Sequence, residues 1–219
     1  MSGSAYASSL EFASGVVLVC AVVTLWRRSL SAIVKALAVQ GVALGVVALI
    51  LGVGKHDGVL IAVACLVIAA KGVVIPALLG RVVAGDPASR EAAPIVNVPA
   101  SLVGAGALTF LAYGATGSVV ALIPTTAGRL IPLGFATMLI GYFAMAVRRK
   151  AVSQIVGLLL VDNGIALVAF LATAGVPLLV ELGASLDVLL AVVVLRVLAA
   201  QMWSKFGVLD LDEMRELHD

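Results

Sequence analysis

Apolar residues run through this chain in long unbroken blocks, and short polar turns cut the blocks into lengths near those a membrane-crossing helix needs. The pattern predicts seven spans. The first runs Leu10–Trp26 and ends at Arg27-Arg28, and the second runs Leu30–Val53 and ends in the polar turn Gly-Lys-His-Asp-Gly. The third, Val59–Val83, is followed by the most polar interior segment, residues 84–94. The fourth is Val98–Tyr113, and a connection rich in Gly, Thr and Pro leads to the fifth, Leu130–Val147. Arg148, Arg149 and Lys150 close that span. The sixth is Val152–Ala172 and the seventh Pro177–Met202, leaving an acidic tail from Phe206 onward. Continuous apolar blocks exclude a β-barrel, whose strands alternate polar and apolar residues.

Composition sharpens this to an all-α polytopic membrane protein: 63% of the residues are hydrophobic and only 12% are charged, outside the range of soluble domains. The N-terminal residues lack the basic region of a cleavable signal, so the first block reads as a retained span. No basic patch of the size that nucleic acid requires is present. Cys20 and Cys65 fall singly inside apolar blocks and are read as packing residues. Without a Cys/His cluster the chain is expected to carry no metal, cofactor or redox centre of its own. His56 and His218 lie in a turn and in the tail, with no Ser/His/Asp arrangement to make a hydrolase, and no catalytic residue is assigned.

The distribution of charge predicts an orientation. With the N-terminus outside, the inner loops and tail hold Arg27, Arg28, Arg81, Arg90, Arg148, Arg149, Lys150, Lys205 and Arg215, against Lys55 and Arg129 outside. Basic residues concentrate on the cytoplasmic side, so the C-terminus is placed there, as an odd number of spans requires. Trp26 and Trp203 then sit at the inner interface, where amphipathic rings belong. The first and last triplets of spans also resemble each other. Each has a basic turn, a helix with a polar position near its middle, and a closing helix ending in an Arg-Val step. Laid together, Gln40 falls within a residue of Asp162, and Lys71 within a residue of Asp187. One extra helix separates the triplets, so this is a parallel repeat. It divides the chain into a three-helix unit (1–84), a loop with a linking helix (85–126), a second three-helix unit (127–203) and a tail (204–219).

Ionisable groups inside membrane spans are the candidate chemistry, because charge in hydrocarbon is tolerated only facing protein or water. By helical rise Asp162 lies about 15 Å from the inner end of its span and Asp187 about 13–15 Å from the outer end of its own. Lys71 lies about 18 Å from the outer end of the third span, and Lys35 about 10 Å from the inner boundary. Asn163 beside Asp162 extends the polar patch, and Gln40 is placed to hydrogen-bond between helices. Two readings stand side by side: a relay that exchanges protons, or fixed Asp–Lys pairs that only hold helices together. Lys35 has a third, in which its long stem reaches back to the lipid headgroups. Glu181 and Arg196, nearer the ends of their helix, read as interfacial anchors.

The C-terminal part, with its Arg-Arg-Lys turn, IVGLLLVDNGIALVAF, ELGASLDVLLAVVVLRV and DLDEMREL, resembles the small NuoK subunit of respiratory complex I and its antiporter relative MrpC. The chain as a whole is similar to hydrogenase-4 component E (HyfE), in which such a unit follows an extra N-terminal membrane region. Gln40 and the segment KGVVIP from Lys71 to Pro76 extend that resemblance into the first half. It implies two NuoK-like units, here with the first degenerate, in the membrane arm of a complex-I-like or group 4 [NiFe]-hydrogenase (formate-hydrogenlyase-type) assembly. The partners would be antiporter-like and quinone-module-like membrane subunits in a prokaryotic cytoplasmic membrane, with nickel and iron–sulfur centres held by a peripheral arm. In that setting the chain supplies buried groups to a proton or sodium path coupled to redox chemistry elsewhere. Asp187 matches the acidic residue of the last NuoK helix. The usual NuoK glutamate position holds Leu159, and Asp162 stands about one helical turn further on, on the same face. A structural scaffold and a stand-alone secondary transporter are the alternatives.

Overall fold

The computed structural model describes residues 3–85, 97–148 and 151–173. They form helices connected by short turns, with no β-strand among the described residues. Helix α1 spans Gly3–Trp26 and α2 spans Leu30–Lys55. Helix α3, Gly58–Val67, passes through a π-helical segment, Ile68–Val74, into α4, Ile75–Gly85. Helix α5 is Val98–Leu122, and a 3-10 turn, Gly128–Leu130, leads into α6, Ile131–Val147. Helix α7 is Ala151–Thr173. Six helical stretches among the described residues are long and apolar enough to cross a membrane, α3, the π segment and most of α4 together making one of them, Gly58–Arg81. The expected seventh span, Pro177–Met202, lies outside the described residues, as do Arg149, Lys150 and the tail.

Helices are forced here by the solvent. In hydrocarbon every backbone N–H and C=O must find a partner within the protein, and only a helix or a closed barrel supplies one to each. This explains the largest departure from the expected boundaries. The fourth span was expected to stop at Tyr113, but α5 continues to Leu122. Residues that break helices in water, Gly114, Thr116 and Gly117, stay helical, and the Thr116 hydroxyl donates to the Ala112 carbonyl at 2.7 Å. The turn after α2 behaves as its composition suggests. His56 takes a left-handed conformation (φ 56°), and the N–H groups of His56 and Asp57 return to the carbonyls of Val53 and Gly52. The Asp57 carboxylate then caps α3, accepting from Val59 N at 2.9 Å and Leu60 N at 3.2 Å.

Two antiparallel helix pairs close through glycine. In α6 and α7, Gly134 and Gly141 are seven residues apart, as are Gly157 and Gly164. A Cβ at Gly141 would stand 2.6 Å from Val161 N, and one at Gly164 would stand 2.5 Å from Met138 N. Backbone meets backbone there, the small-residue device by which membrane helices approach. In the other pair Gly41, Gly45 and Gly52 of α2 receive the chain of α3 and the π segment: Gly52 meets Ile61, Gly45 meets Ile68, and Gly41 meets the backbone of Lys71.

Arg148 joins the halves at one end. It is buried, and its Nη2 donates to the carbonyls of Thr24 and Arg27 at the end of α1. Burial pushes this guanidinium below its ordinary value. The turns that precede α2 and α7 therefore lie at the same end, and those two helices run in the same direction. Of the cysteines, Cys20 is buried as expected, but Cys65 is exposed on α3. The expectation that Cys65 packs within the chain is therefore corrected: the face of α3 turned to α2 is taken by Leu60, Ala64 and Val67, leaving Cys65 outward.

Candidate functional site

Near the middle of the described bundle four polar side chains from three spans meet in an apolar surround. Gln40 sits on α2, Lys71 on the π segment, and Asp162 and Asn163 on α7; all four are buried, Gln40 completely. Lys71 Nζ donates to Asp162 Oδ2 at 2.5 Å, an ion pair with both side chains less than a tenth exposed. Asn163 Nδ2 donates to Gln40 Oε1 at 2.9 Å, and Gln40 Nε2 donates to the Val17 carbonyl of α1 at 2.9 Å. Consecutive residues on a helix diverge by about 100°. Asp162 and Asn163 can thus serve two neighbours at once, the carboxylate turned to the π segment and the amide to α2.

The backbone explains how Lys71 reaches this place. Pro76 has no N–H and cannot continue an i→i+4 ladder through the turn before it. The helix widens there, and Ile75 N bonds to the Ala70 carbonyl, five residues back. Such widened turns are uncommon and are frequently found at functional positions. Glycine at 41 admits the Lys71 backbone against α2, so a residue with no side chain seats the lysine. Gly164, next to Asn163, does the same for α7 against Met138 of α6.

Of the residues singled out from sequence, Asp162, Asn163, Gln40 and Lys71 come together. Lys35 does not join them. It is exposed, one and a half turns into α2, and lines a cavity with Ser29, Ser31, Val34, Gly80, Val83 and Ala84. Asp187, Glu181 and Arg196 lie outside the described residues. Trp26 is exposed at the end of α1, with the Arg27 guanidinium 5.5 Å from its ring centre. Sequence reasoning overlooked Gly41, the Val17 carbonyl and the widened turn. The signal for the last was present: a glycine and a proline, Gly72 and Pro76, just after an intramembrane lysine. Among the described residues no three His, Cys, Asp or Glu side chains converge as a metal site would require.

Fold and site together define a polytopic helical membrane protein with a buried, charged midsection. The uncharacterized protein Rv0085 of Mycobacterium tuberculosis is 47% identical over 220 residues, covering 100% of both chains. The chain belongs to the family of that protein. Hydrogenase-4 component E of Escherichia coli K12 is 35% identical over 79 residues, 36% of this chain and 37% of that relative, and the Shigella flexneri protein of the same name matches equally. No family model and no solved structure matches the chain.

Proposed function

We propose that this protein is a membrane-arm subunit of a hydrogenase-type, complex-I-like assembly in a prokaryotic cytoplasmic membrane. In this reading it carries protons (or sodium ions) through its midsection, in step with redox chemistry in other subunits. The observation that carries the proposal is the Lys71–Asp162 pair, a charged couple buried between two helices where charge needs a purpose or a partner. The partial similarity to hydrogenase-4 component E supports the kind of assembly.

In the proposed mechanism a proton passes between Lys71 and Asp162, which stand at hydrogen-bond distance, and neutralises both. A charge arriving beside either one from a neighbouring subunit biases the exchange, and Asp187 is read as a further member of the path. Asn163 and Gln40 hold α7 in register, so that the carboxylate stays aimed at the lysine. The orientation with the N-terminus outside and the tail inside, the seven spans and the two NuoK-like three-helix units in parallel belong to this proposal. Two details support the repeat: Arg148 returns to the end of α1, and Gln40 meets Asn163 across α2 and α7. The test is proton translocation by vesicles holding the intact complex, with Asp162→Asn and Asp187→Asn introduced separately. Loss of coupling with retained assembly is expected; unchanged coupling in both variants would reject the proposal.

A scaffold role is favoured by one observation, the closeness of the ion pair, 2.5 Å with both side chains buried. If the pair only holds helices together, replacing Lys71 and Asp162 with apolar residues of similar size leaves translocation by the assembled complex intact.

A further inference from the structure

We propose that the cavity between the start of α2 and the end of α4 binds the phosphate headgroup and upper acyl chain of an anionic phospholipid. It encloses about 480 Å³ and lies at the end of the bundle that carries Arg27, Arg28 and Arg148. Its walls differ in kind. Ser31, Val34 and Lys35 share one face of α2 at helical spacing, with Ser29 just before the helix, and Gly80, Val83 and Ala84 share one face of α4. One side thus offers an ammonium and two hydroxyls, and the other a smooth apolar surface. A ligand that satisfies both is negatively charged at one end and hydrocarbon at the other. A free phosphate would use only the first wall.

Two further details favour this occupant. Gly80 faces open space, where a Cβ would meet nothing, so the apolar wall recedes and leaves room for a chain. No acidic residue stands in the first turn of α2 to neutralise Lys35. Lys35 is exposed near the end of a membrane-spanning helix, where a lysine stem lies along apolar surface and its ammonium reaches the headgroups. The inference assigns Lys35 a task apart from the buried Lys71–Asp162 pair and does not depend on the function proposed for that pair.

The full chain, delipidated in mild detergent, is mixed with dioleoyl phosphatidylglycerol or dioleoyl phosphatidylcholine, which share the same chains. Retained lipid is counted by native mass spectrometry and thermal unfolding is followed. The anionic lipid is expected to be retained preferentially and to raise the unfolding temperature. Lys35→Gln should lower that preference about tenfold, the loss of one charge-assisted hydrogen bond, and Lys35→Arg should keep it. Gly80→Leu should fill the cavity and abolish retention. Should Gly80→Leu fail to fold, the Lys35 pair of variants decides the matter alone. Equal retention of the two lipids by the unmodified chain would overturn the proposal. So would an unchanged preference in Lys35→Gln, or an equal thermal shift from millimolar inorganic phosphate.

Discussion

The α6–α7 pair and the pair formed by α2 with α3 and the π segment answer the same demand in two ways. In α6–α7 the glycines are reciprocal, two on each helix, and the backbones pack against each other with both helices regular. In the other pair three glycines lie on α2 and one, Gly72, on the π segment against Val42, while the partner also brings bulky Ile61 and Ile68 and a helix that has widened around Pro76. Each pair contributes one charge to the midsection: the carboxylate stands on the regular helix and the lysine on the irregular one. The widened turn, in which Ile75 N reaches back to the Ala70 carbonyl, carries the lysine. A regular helix and a widened one thus stand on opposite sides of one ion pair.

The strongest way to break this comparison is to remove one charge. Asp162→Ala removes the carboxylate paired with the buried Lys71 ammonium and should destabilise the protein by about 3–5 kcal/mol, the usual result of breaking a buried pair from one side. Lys71→Met should do comparable damage. Unfolding in detergent, followed by circular dichroism, measures both.

Next come the glycines. Gly141→Ala and Gly41→Ala should each cost about 1–3 kcal/mol by overpacking. The two should differ in kind. At Gly141 the obstacle is the backbone nitrogen of Val161 on a regular helix, and the pair has nowhere to move. At Gly41 the obstacle is the Lys71 backbone, so under the proposed function that variant should also weaken translocation by the intact complex. Equal loss of translocation in Gly41→Ala and Gly141→Ala, at matched stability, would erase the distinction between the two pairs.

Smaller effects are expected from the amides. Gln40→Ala and Asn163→Ala should each cost about 0.6 kcal/mol, up to about 1.7, as membrane hydrogen bonds do. A double-mutant cycle should find them coupled, because each holds the other. The smallest expected change in stability is that of the double variant Lys71→Met with Asp162→Leu. Replacing a buried ion pair by apolar residues is often neutral, so this protein should assemble normally. Under the proposed function it should not translocate protons, and normal translocation would convert the pair into a scaffold element.

Much of this was legible in the residues. Unbroken apolar blocks require helices, because hydrocarbon leaves the backbone no other partner, and so the described spans begin and end close to where the polar turns fall. The extension of α5 past Tyr113 escaped notice because glycine and threonine were judged by their behaviour in water. The Asp57 cap and the buried state of Gln40, Lys71, Asp162 and Asn163 follow from residue type and depth alone. Depth, however, says nothing of direction around the helix. Laying the repeat together set Lys71 beside Asp187 and Gln40 beside Asp162, a correspondence between sequences and not a contact. In space Lys71 meets Asp162 and Gln40 meets Asn163.

By itself, then, the sequence determined that the chain crosses a membrane as helices, where those helices turn, and which polar groups must be sheltered at mid-depth. These follow from the cost of bare backbone and bare charge in hydrocarbon, which is local and one-dimensional. Only the tertiary structure decided which charge meets which, that the lysine is delivered by a widened turn seated on Gly41, that Arg148 ties α6 to α1, and that Lys35 stands apart at the rim. Those outcomes depend on the rotation of each helix about its axis. That rotation is set by where glycine lets two backbones touch, a property of pairs of helices that no single stretch of residues contains.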